Sequence, residues 1–491
     1  MLNQWETPLF HALLKHASAE PKPFHIPGHK KGKGMNPEFR DFIGHNALSI
    51  DLINIEPLDD LHHPHGIIHE AQELAADAFS ADYTFFSVQG TSGAIMTMIL
   101  SVCAPGDKIL VPRNVHKSIM SAIIFAGAVP VFIYPELDKK LGISHGITPA
   151  SVQTAVQEHP EAKALLVINP TYFGVSADLK LIVDTAHQAG IPVLVDEAHG
   201  VHIHFHPDLP LSAMQAGADL AATSVHKLGG SMTQSSVLNV KKGLVDPHHV
   251  QAVMSMLTTT STSYLLLASL DTARKYLATQ GERLLEQTIA LAESVRKEVN
   301  AIPGLYCPGR EMLDSNAAFA FDPTKILISV ADLGITGYEV EKWLRSQYNI
   351  EIELSDLYNI LCIISFGDDR SDTDFLLRAL RNLSEAFVGA GKLGSPVSIH
   401  LPDIPVLAIP PRDAFYAPTE TIPFEESAGR IIAEFVMIYP PGIPVLLPGE
   451  VITETNIVYI KENAAAGLPV QGPEDSSLEQ IRVIKEARPI R

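Results

Sequence analysis

Two stretches of the sequence decide the fold: VLVDEAHG at residues 193–200 and AATSVHKLGG at residues 221–230. Each begins with an apolar run of strand length and continues into polar residues, which include Asp196 in the first stretch and Lys227 in the second. Lys227 follows Asp196 by 31 residues, about one helical crossover plus a strand. Because ligands of open α/β sheets bind at the carboxyl ends of the strands, we expect both groups at one edge of a sheet.

The surrounding sequence has the pattern of a parallel sheet with crossover helices. From about residue 75 to residue 240, helical segments such as residues 92–102 and 179–189 alternate with short apolar runs. A Gly or Pro follows each of these helical segments, as expected at a helix end. The apolar runs predict strands at residues 84–88, 108–111, 129–134, 164–169, 191–195 and 219–224.

The carboxylate and the lysine together suit one cofactor. Pyridoxal 5'-phosphate (PLP) needs a lysine amine for its Schiff base and a carboxylate that keeps the pyridine nitrogen protonated, so that the ring can accept electrons. Either residue alone has an ordinary interpretation, Asp196 as a helix cap and Lys227 as a solvated lysine. Because the two motifs occur in this order on consecutive predicted strands, they favour the PLP interpretation.

A turn rich in hydroxyl groups predicts where the phosphate binds. QGTSGA at residues 89–94 lies between a predicted strand and a predicted helix, so Thr91, Ser92 and the first amides of the helix can surround a phosphate. Ser224, just before Lys227, can add a further hydroxyl. The alternative is a strand-to-helix turn that is merely capped by Ser or Thr, which is routine in proteins without a ligand.

A histidine follows another predicted strand, in PRNVHKS at residues 112–118. The ring of His116 can stack on a cofactor ring at this sheet edge. A core or surface histidine with ordinary hydrogen bonds is the alternative interpretation.

Two further histidine clusters raise the question of a metal. His202, His204 and His206 alternate, which on a strand would place three imidazoles on one face. A glycine and a proline flank them and indicate a loop, so we interpret them as hydrogen-bonded or solvated histidines. Residues 59–65 hold two aspartates and three histidines, which we interpret as an ordered loop over the mouth of the site. We therefore predict no metal site.

Composition excludes several classes of protein. The chain has 491 residues, a formal net charge of -20 and 46% hydrophobic residues, an ordinary globular balance that lacks the basic face nucleic acids require. The amino terminus has no pattern of a signal peptide, and no apolar run is long enough to span a membrane. Three widely separated cysteines indicate reduced thiols. We expect a cytoplasmic protein with no nucleic-acid or membrane partner.

The chain is too long for one hydrophobic core, so several domains are expected. We predict an amino-terminal segment with active-site loops at residues 1–74 and a PLP-binding large domain at residues 75–320. A small α+β domain is predicted at residues 321–390 and a carboxy-terminal module at residues 396–491. The glycine-rich residues 389–396 are the predicted linker.

The sequence resembles a known family, the bacterial ornithine/lysine/arginine decarboxylases of PLP fold type I, over nearly its whole length. The motifs that carry the resemblance are residues 24–30, 90–93, 113–118, 196–199 and 224–227, with residues 439–444 and 448–450 outside the cofactor fold. The carboxy-terminal motifs separate this family from aminotransferases in general. The resemblance implies an α/β large domain of the PLP-dependent transferase type with a mostly parallel sheet, a small α+β domain and a carboxy-terminal α+β module.

The resemblance also implies roles for individual residues. Lys227 is expected to form the Schiff base, Asp196 to bind the ring nitrogen and His116 to stack on the ring. His199 and His226 are expected beside the cofactor as catalytic residues together with Lys227. The phosphate is expected to bind Thr91, Ser92 and Ser224, with Thr260 reaching it from the neighbouring subunit of a homodimer or of a dimer-based higher oligomer.

The implied reaction is the decarboxylation of a basic amino acid, and L-arginine giving agmatine for polyamine biosynthesis is our first choice. The chain begins almost directly at residues 24–30, whereas the large inducible members carry an amino-terminal wing domain, so it resembles the short biosynthetic form, which puts acid-induced decamers in doubt. Lysine and ornithine stay open as substrates. Other open alternatives are an aminotransferase or another PLP lyase, a non-enzymatic regulator with the PLP fold, and a histidine-based metalloprotein. Glu450 is our candidate for the acidic partner of the substrate side chain.

Overall fold

The computed structural model describes residues 2–389, 402–438, 443–465 and 467–485. The chain divides into two compact units: unit 1 comprises Met1–Val102 and Gly190–Glu286, and unit 2 comprises Cys103–Ala189 and Gln287–Arg491. This division cuts the chain differently from the four predicted domains, whose boundaries stay a prediction. Most of the predicted linker at 389–396, and residues 439–442 of the carboxy-terminal motif, lie outside the described residues.

Unit 1 contains four strands in one continuous order. Ser236–Val240 lies between Tyr83–Ser87 and Leu220–Thr223 and is antiparallel to both, while Val193–Asp196 pairs in parallel with Leu220–Thr223. The four strands are almost entirely buried, as apolar strands of an α/β sheet are. The helices of this unit are Pro8–Ser18, Pro37–Ile43, His45–Ile50, Ile67–Ala78, Gly90–Val102, Ala213–Ala216, Val225–Leu228, Pro247–Leu257 and the first part of Tyr264–Val299.

Unit 2 contains a parallel group of strands and several smaller sheets. Lys108–Pro112 pairs in parallel with both Val129–Ile133 and Ala164–Ile168. The smaller sheets comprise Leu137–Asp138 with Ile143–Ser144, Val175–Ser176 with Ala320–Phe321, Lys325–Ser329 with Asn359–Ile363 and Leu354–Ser355, Thr419–Pro423 with Gln480–Ile484, and Val436–Ile438 with Ile443–Leu446 and Val470–Gln471. The α-helices are Lys117–Ala126, Pro149–Glu158, Leu179–Gln188, Gly337–Tyr348, Arg370–Phe387, Pro411–Tyr416 and Glu454–Ala465.

Local sequence explains where several of these helices begin and end. The carboxylate of Asp178 accepts the Leu181 backbone N–H at 3.1 Å and caps the helix that Leu179 begins. Thr336 and Glu339 form a reciprocal capping box at the start of Gly337–Tyr348. These helices therefore begin where short polar side chains satisfy amides that have no partner inside the helix.

Two hydrophobic cores lie within unit 2. One contains the end of the long helix Tyr264–Val299, from Ala292 onward, and buried residues of Lys325–Ser329, Asn359–Ile363 and Arg370–Phe387. The other is built from residues between 424 and 483, such as Val436 and Ile460. Each core buries the apolar faces of its own strands and helices, which is what makes a compact α+β module.

Most sequence predictions about secondary structure are confirmed. Each of the six predicted strands is present to within two residues at either end. The strand Ser236–Val240 was missed, and its antiparallel pairing makes the sheet mixed. The three cysteines are buried and unpaired, and burial raises the pKa of each thiol to about 12. Among the described helices, none combines the length and the apolar character that a membrane crossing needs.

Candidate active site

Asp196 and Lys227 lie at the carboxyl ends of two adjacent parallel strands in unit 1. Asp196 is the last residue of Val193–Asp196, and Lys227 is in the short helix Val225–Leu228 that follows Leu220–Thr223. Asp196 is buried, and burial raises the pKa of its carboxyl group, although the backbone N–H of Ala198 and the charge of Lys227 act in the opposite direction. The structure thus brings the two predicted cofactor residues together at one sheet edge.

The Lys227 amine contacts a histidine of the same motif as Asp196. Its Nζ lies 2.7 Å from Nε2 of His199, which is buried. The other predicted catalytic histidine, His226, is half-buried, and its Nδ1 contacts the carbonyl oxygen of Ser235 at 2.9 Å. His199 therefore lies beside the reactive amine, while His226 joins its own segment to the start of the next strand.

Three hydroxyl groups form a buried cluster next to these strand ends. Thr91 Oγ1 contacts Ser224 Oγ, and it also lies 2.9 Å from Ser236 Oγ. Thr91 and Ser224 were predicted from the sequence, but Ser236 was not, because the strand that it begins was missed. The cluster collects hydroxyls from three separate segments, as a phosphate site requires.

The same turn opens a helix of thirteen residues, Gly90–Val102, whose first amides have no partner inside the helix. Gly90 adopts φ +68°, a left-handed conformation that favours glycine, and no atom lies within 4 Å of the place where its side chain would stand. Ser92 is exposed at this turn. The Gly90 N–H donates to the carbonyl oxygen of Gln234 at 2.8 Å, and the amides that follow it, the open space and the hydroxyl groups together fit a phosphate.

A second buried carboxylate, Glu197, directly follows Asp196 and was not among the residues predicted for the site. Glu197 accepts hydrogen bonds from the Ala213 backbone N–H at 2.7 Å and from Thr223 Oγ1 at 3.0 Å. Burial is the main cause that raises the pKa of Glu197 to about 7; the charge of Asp196 acts in the same direction, and the two hydrogen bonds act against it. Glu197 was identifiable in the sequence only as the residue after Asp196, since its partners come from distant segments.

This raised pKa predicts a pH-dependent stability. Relative to an unfolded carboxyl group near 4.5, ionising Glu197 in the folded protein costs stability that grows as the pH rises from 4.5 and levels off above about 7. We therefore expect the free energy of unfolding of Glu197→Gln, compared with that of the unchanged protein, to rise by about 2 kcal/mol when the pH is raised from 5.5 to 8.5. Urea unfolding at both pH values measures the difference. The exposed Glu282→Gln is the control, and an equal pH trend in both variants would contradict the prediction.

His116 lies in unit 2, where it precedes the helix Lys117–Ala126 and caps it. Its Nδ1 accepts the Ser118 backbone N–H at 3.2 Å and contacts Ser118 Oγ at 2.8 Å. The ring is exposed and held in place by these bonds. Its predicted stacking on the cofactor stays a prediction.

Thr260 is exposed in the irregular segment between Pro247–Leu257 and the long helix, so the hydroxyl-rich run is not inside a helix. The carbonyl oxygen of Thr259 contacts Nε2 of His62 at 3.0 Å, which connects this segment to the predicted loop at residues 59–65. That loop is ordered around buried Asp59, whose carboxylate accepts four backbone N–H groups at 2.8–3.2 Å. Burial alone would raise the pKa of Asp59, but these donors outweigh burial and hold it below its usual value.

The alternating histidines are not on a strand, because Ile203–Phe205 forms a single turn of 3-10 helix. His206 lies with Asp208 and Glu286 in a group whose potential ligand atoms are within 4.8 Å of one another. Its Nε2 contacts Glu286 Oε2 at 2.9 Å, and its Nδ1 accepts the Asp208 backbone N–H at 3.2 Å. These hydrogen bonds use both ring nitrogens of His206.

Glu450 has a different environment from the one expected of a substrate-binding carboxylate. It is 0% exposed and forms a bidentate ion pair with Arg113, at 2.5 and 2.8 Å, while Arg113 itself is 1% exposed. The Leu447 backbone N–H donates to the same carboxylate at 2.8 Å, and Arg113 also donates to the carbonyl oxygens of Pro444 and Val445. This corrects the sequence expectation for Glu450: both oxygens are occupied inside unit 2, and neither is left for a substrate.

We expect Glu450→Gln to lower the free energy of unfolding by about 3 kcal/mol, because it leaves the Arg113 charge buried without a compensating partner. The KM for substrate should stay within about twofold of the unchanged protein, since the pair contributes to stability and not to substrate binding. Denaturant unfolding and steady-state kinetics measure the two effects. Glu425→Gln, which removes an exposed partner of Lys461, is the control and should leave the unfolding midpoint unchanged. A large rise in KM with unaltered stability would contradict this interpretation.

The donor set in unit 1 fits PLP. Hydroxyl groups and the amides of the first helical turn suit its phosphate, the Lys227 amine suits its aldehyde, and the buried Asp196 carboxylate suits a protonated pyridine nitrogen. PLP is therefore compatible with the residues of this site.

Known sequences match this chain over almost its entire length. The family model for the Orn/Lys/Arg decarboxylase major domain matches residues 7–372, and the model for the C-terminal domain of the same family matches residues 403–469. The chain is 69% identical to an arginine decarboxylase of Bacillus anthracis over 489 residues, which covers 100% of this chain and 99% of that one. It is 67% identical to an arginine decarboxylase of Bacillus subtilis, with 100% of both chains covered.

Solved structures of similar fold include two lysine decarboxylases. The constitutive lysine decarboxylase of Escherichia coli superposes with a TM-score of 0.82 at 24% identity, covering 98% of this chain and 82% of that chain. Lysine decarboxylase A from Pseudomonas aeruginosa gives 0.84 at 24% identity, covering 97% and 80%. These similarities confirm the predicted fold class.

Proposed function

The chain belongs to the Orn/Lys/Arg decarboxylase family and is an amino-acid decarboxylase, and we propose that it converts L-arginine to agmatine and CO2 with PLP as its cofactor. One observation carries the arginine assignment. Identity is 69% and 67% to arginine decarboxylases over the full chain, but only 26% to the constitutive lysine decarboxylase of Escherichia coli.

When bound, PLP supplies an aldehyde carbon that can be linked to an amine and a ring that accepts the electron pair released when CO2 departs. Asp196 would hold the proton on the ring nitrogen. Because Asp196 is buried, its interaction with a cationic ring nitrogen would be little screened by water, and that cation would in turn favour its ionised form. The hydroxyls of Thr91, Ser224 and Ser236 would hold the phosphate.

Lys227 would bind the cofactor between turnovers and give it up to the substrate amine. Nε2 of His199, 2.7 Å away, is placed to accept a proton from the Lys227 amine or to return one to it. We propose that His199 holds this proton while Lys227 exchanges partners. His226 would position the segment through its bond to the backbone of Ser235.

The substrate assignment is tested by incubating the cofactor-loaded protein with arginine, lysine and ornithine separately. We expect kcat/KM for arginine to exceed the other two by at least about 10²-fold, with one amine formed for each CO2. A preference for lysine or ornithine would contradict the arginine proposal. Formation of a keto acid without CO2 would indicate an aminotransferase instead.

We further propose a homodimer in which each site is completed by Thr260 of the other subunit. Thr260 is exposed, and Met256 on the preceding helix is 84% exposed. Phe24 in the amino-terminal segment is 97% exposed. Burying these apolar side chains against a second chain would be favourable.

Mixed dimers test the shared site. Thr260→Trp should damage the partner's site, whereas Lys227→Ala damages only its own, so each variant alone is expected to be inactive. Refolding the two variants together should restore activity in the mixed dimers, because one of their two sites then carries neither change. If subunit exchange is verified and the mixed species stays inactive, the shared site is excluded.

The cellular setting is part of the same proposal. The three cysteines are buried thiols without a disulfide, which suits a reducing cytoplasm. Agmatine is an intermediate for polyamines, so we propose a role in polyamine biosynthesis.

A further inference from the structure

Unit 2 contains an open cleft of about 560 Å³ that none of the predicted cofactor residues lines. One wall is the hairpin of Leu137–Asp138 and Ile143–Ser144 together with the residue before it, Glu136. The opposite wall is the segment from Tyr306 to Ser315. The cleft is large enough for a small molecule of extended shape.

The cleft is acidic. Four carboxylates line it, against two ammonium groups: Glu136, Asp138, Glu311 and Asp314 against Lys139 and Lys140. An excess of negative charge in a concave surface attracts cations, and the attraction is stronger there than on a flat surface.

Only part of this charge is used by the fold. Asp138 caps the hairpin turn by accepting the backbone N–H groups of Lys140 and Leu141, at 2.8 and 2.9 Å. Glu311 accepts the hydroxyl of Tyr306 and the backbone N–H of Gly309, both at 2.9 Å, and one oxygen of Glu136 accepts the hydroxyl of Ser315. The carboxylate of Asp314, in contrast, is exposed and makes no hydrogen bond or ion pair to any other residue that the structure describes. Its charge is therefore available to a ligand.

A buried histidine in the same cleft also lacks a partner. His145 is only 5% exposed and lines the cleft, and its Nδ1 has no hydrogen-bond partner among the described residues. Its Nε2 lies 3.8 Å from Asp138. A buried polar atom without a partner is unusual and costs stability, so a ligand with an N–H donor would satisfy it after a small side-chain shift.

The chain already places one ammonium group at this cleft. Lys140 Nζ lies 3.8 Å from the centre of the Tyr306 ring, in a cation–π contact. The aromatic face and the nearby Glu311 thus form a position suited to an amine. A ligand ammonium can occupy the same kind of environment.

The spacing of the carboxylates favours an organic cation over a metal ion. Within the described ranges, the one group of Asp, Glu, His or Cys close enough to share a metal is that of His206, in unit 1. Among the described residues of the cleft, no three potential ligand atoms lie within 4.8 Å of one another, which favours a ligand with several separate positive charges over a single metal ion.

We propose that this cleft of unit 2 binds an aliphatic polyamine, with the free carboxylate of Asp314, the carboxylate of Glu136 and the ring of His145 as its main contacts. The proposal stands on the residues of the cleft and does not depend on which amino acid the enzyme decarboxylates.

Calorimetric titration of the cofactor-loaded full-length protein with spermidine tests the proposal. We expect one binding event per chain that weakens with salt. Glu136→Gln combined with Asp314→Asn should weaken it by at least about tenfold, because two charge-assisted contacts are lost. Gln at position 136 retains an oxygen that can accept from Ser315. The matched control combines Glu158→Gln with Asp413→Asn, two exposed carboxylates of the same unit, and should bind spermidine within twofold of the unchanged protein.

Further measurements keep the outcomes separate. Both double variants should decarboxylate arginine at the unchanged rate in the absence of spermidine, which distinguishes a failure of this proposal from a failure of the proposed function. If the double variant does not fold, Asp314→Asn alone should weaken binding by at least about threefold, since its side chain supports no other described residue. Lys227→Ala should still bind spermidine. Equal binding by both double variants, no binding at millimolar spermidine, or loss of binding in Lys227→Ala would overturn the proposal.

Discussion

Lys227→Ala is expected to lower kcat for arginine decarboxylation by about 10⁴-fold or more. In the proposed function the amine of Lys227 holds the cofactor and exchanges a proton with His199, whose Nε2 lies 2.7 Å away, and alanine would do neither. Single-turnover and steady-state measurements of CO2 release with the cofactor in excess give the loss directly.

The control for this variant is Lys242→Ala, another exposed lysine of unit 1, which should keep full activity. The circular dichroism spectrum of Lys227→Ala should match that of the unchanged protein, since the Lys227 side chain is exposed and is not part of a hydrophobic core. Multiple turnovers at a near-normal rate in Lys227→Ala would exclude Lys227 as the Schiff-base lysine.

Asp196→Asn is expected to lower kcat by about 10²–10³-fold while PLP still binds. The amide keeps the size of the side chain and the oxygen that accepts the Ala198 N–H at 3.2 Å. It cannot stabilise a protonated ring nitrogen, so the ring accepts the electron pair less readily. Titration with PLP verifies loading, and kcat at saturating arginine then measures the loss.

Asp208→Asn, an exposed carboxylate in the same unit, is the matched control and should leave kcat unchanged. If Asp196→Asn retained most of its kcat with the cofactor fully loaded, another group would have to hold the ring nitrogen.

The parts of the fold that follow from local pattern could be predicted from the sequence. The strands Val193–Asp196 and Leu220–Thr223 are short apolar runs followed by polar residues, and this pattern is visible in one sequence. Adjacent parallel strands end at the same edge, so the proximity of Asp196 and Lys227 followed from topology. The hydroxyl contact between Thr91 and Ser224 joins the ends of two strands that are not adjacent, because Ser236–Val240 lies between them.

The parts that depend on long-range partners could not be predicted. Ser236 begins a strand and follows Ser235, and serines before an apolar run indicate a loop as readily as a strand. Glu450 was predicted to face a substrate, yet its partner Arg113 is 337 residues away in the sequence. The burial of Glu197 likewise depends on Ala213 and Thr223, which other segments bring to it.

The most direct test of the site assigned here is to find which lysine carries the cofactor. Borohydride reduction of the purified, PLP-loaded protein fixes the cofactor to the amine that holds it, and peptide mass spectrometry then locates the added pyridoxyl group. We predict that the group is on Lys227, in the segment that follows Leu220–Thr223, and that Lys227→Ala carries none. A modified lysine elsewhere in a preparation that decarboxylates arginine would contradict the assignment.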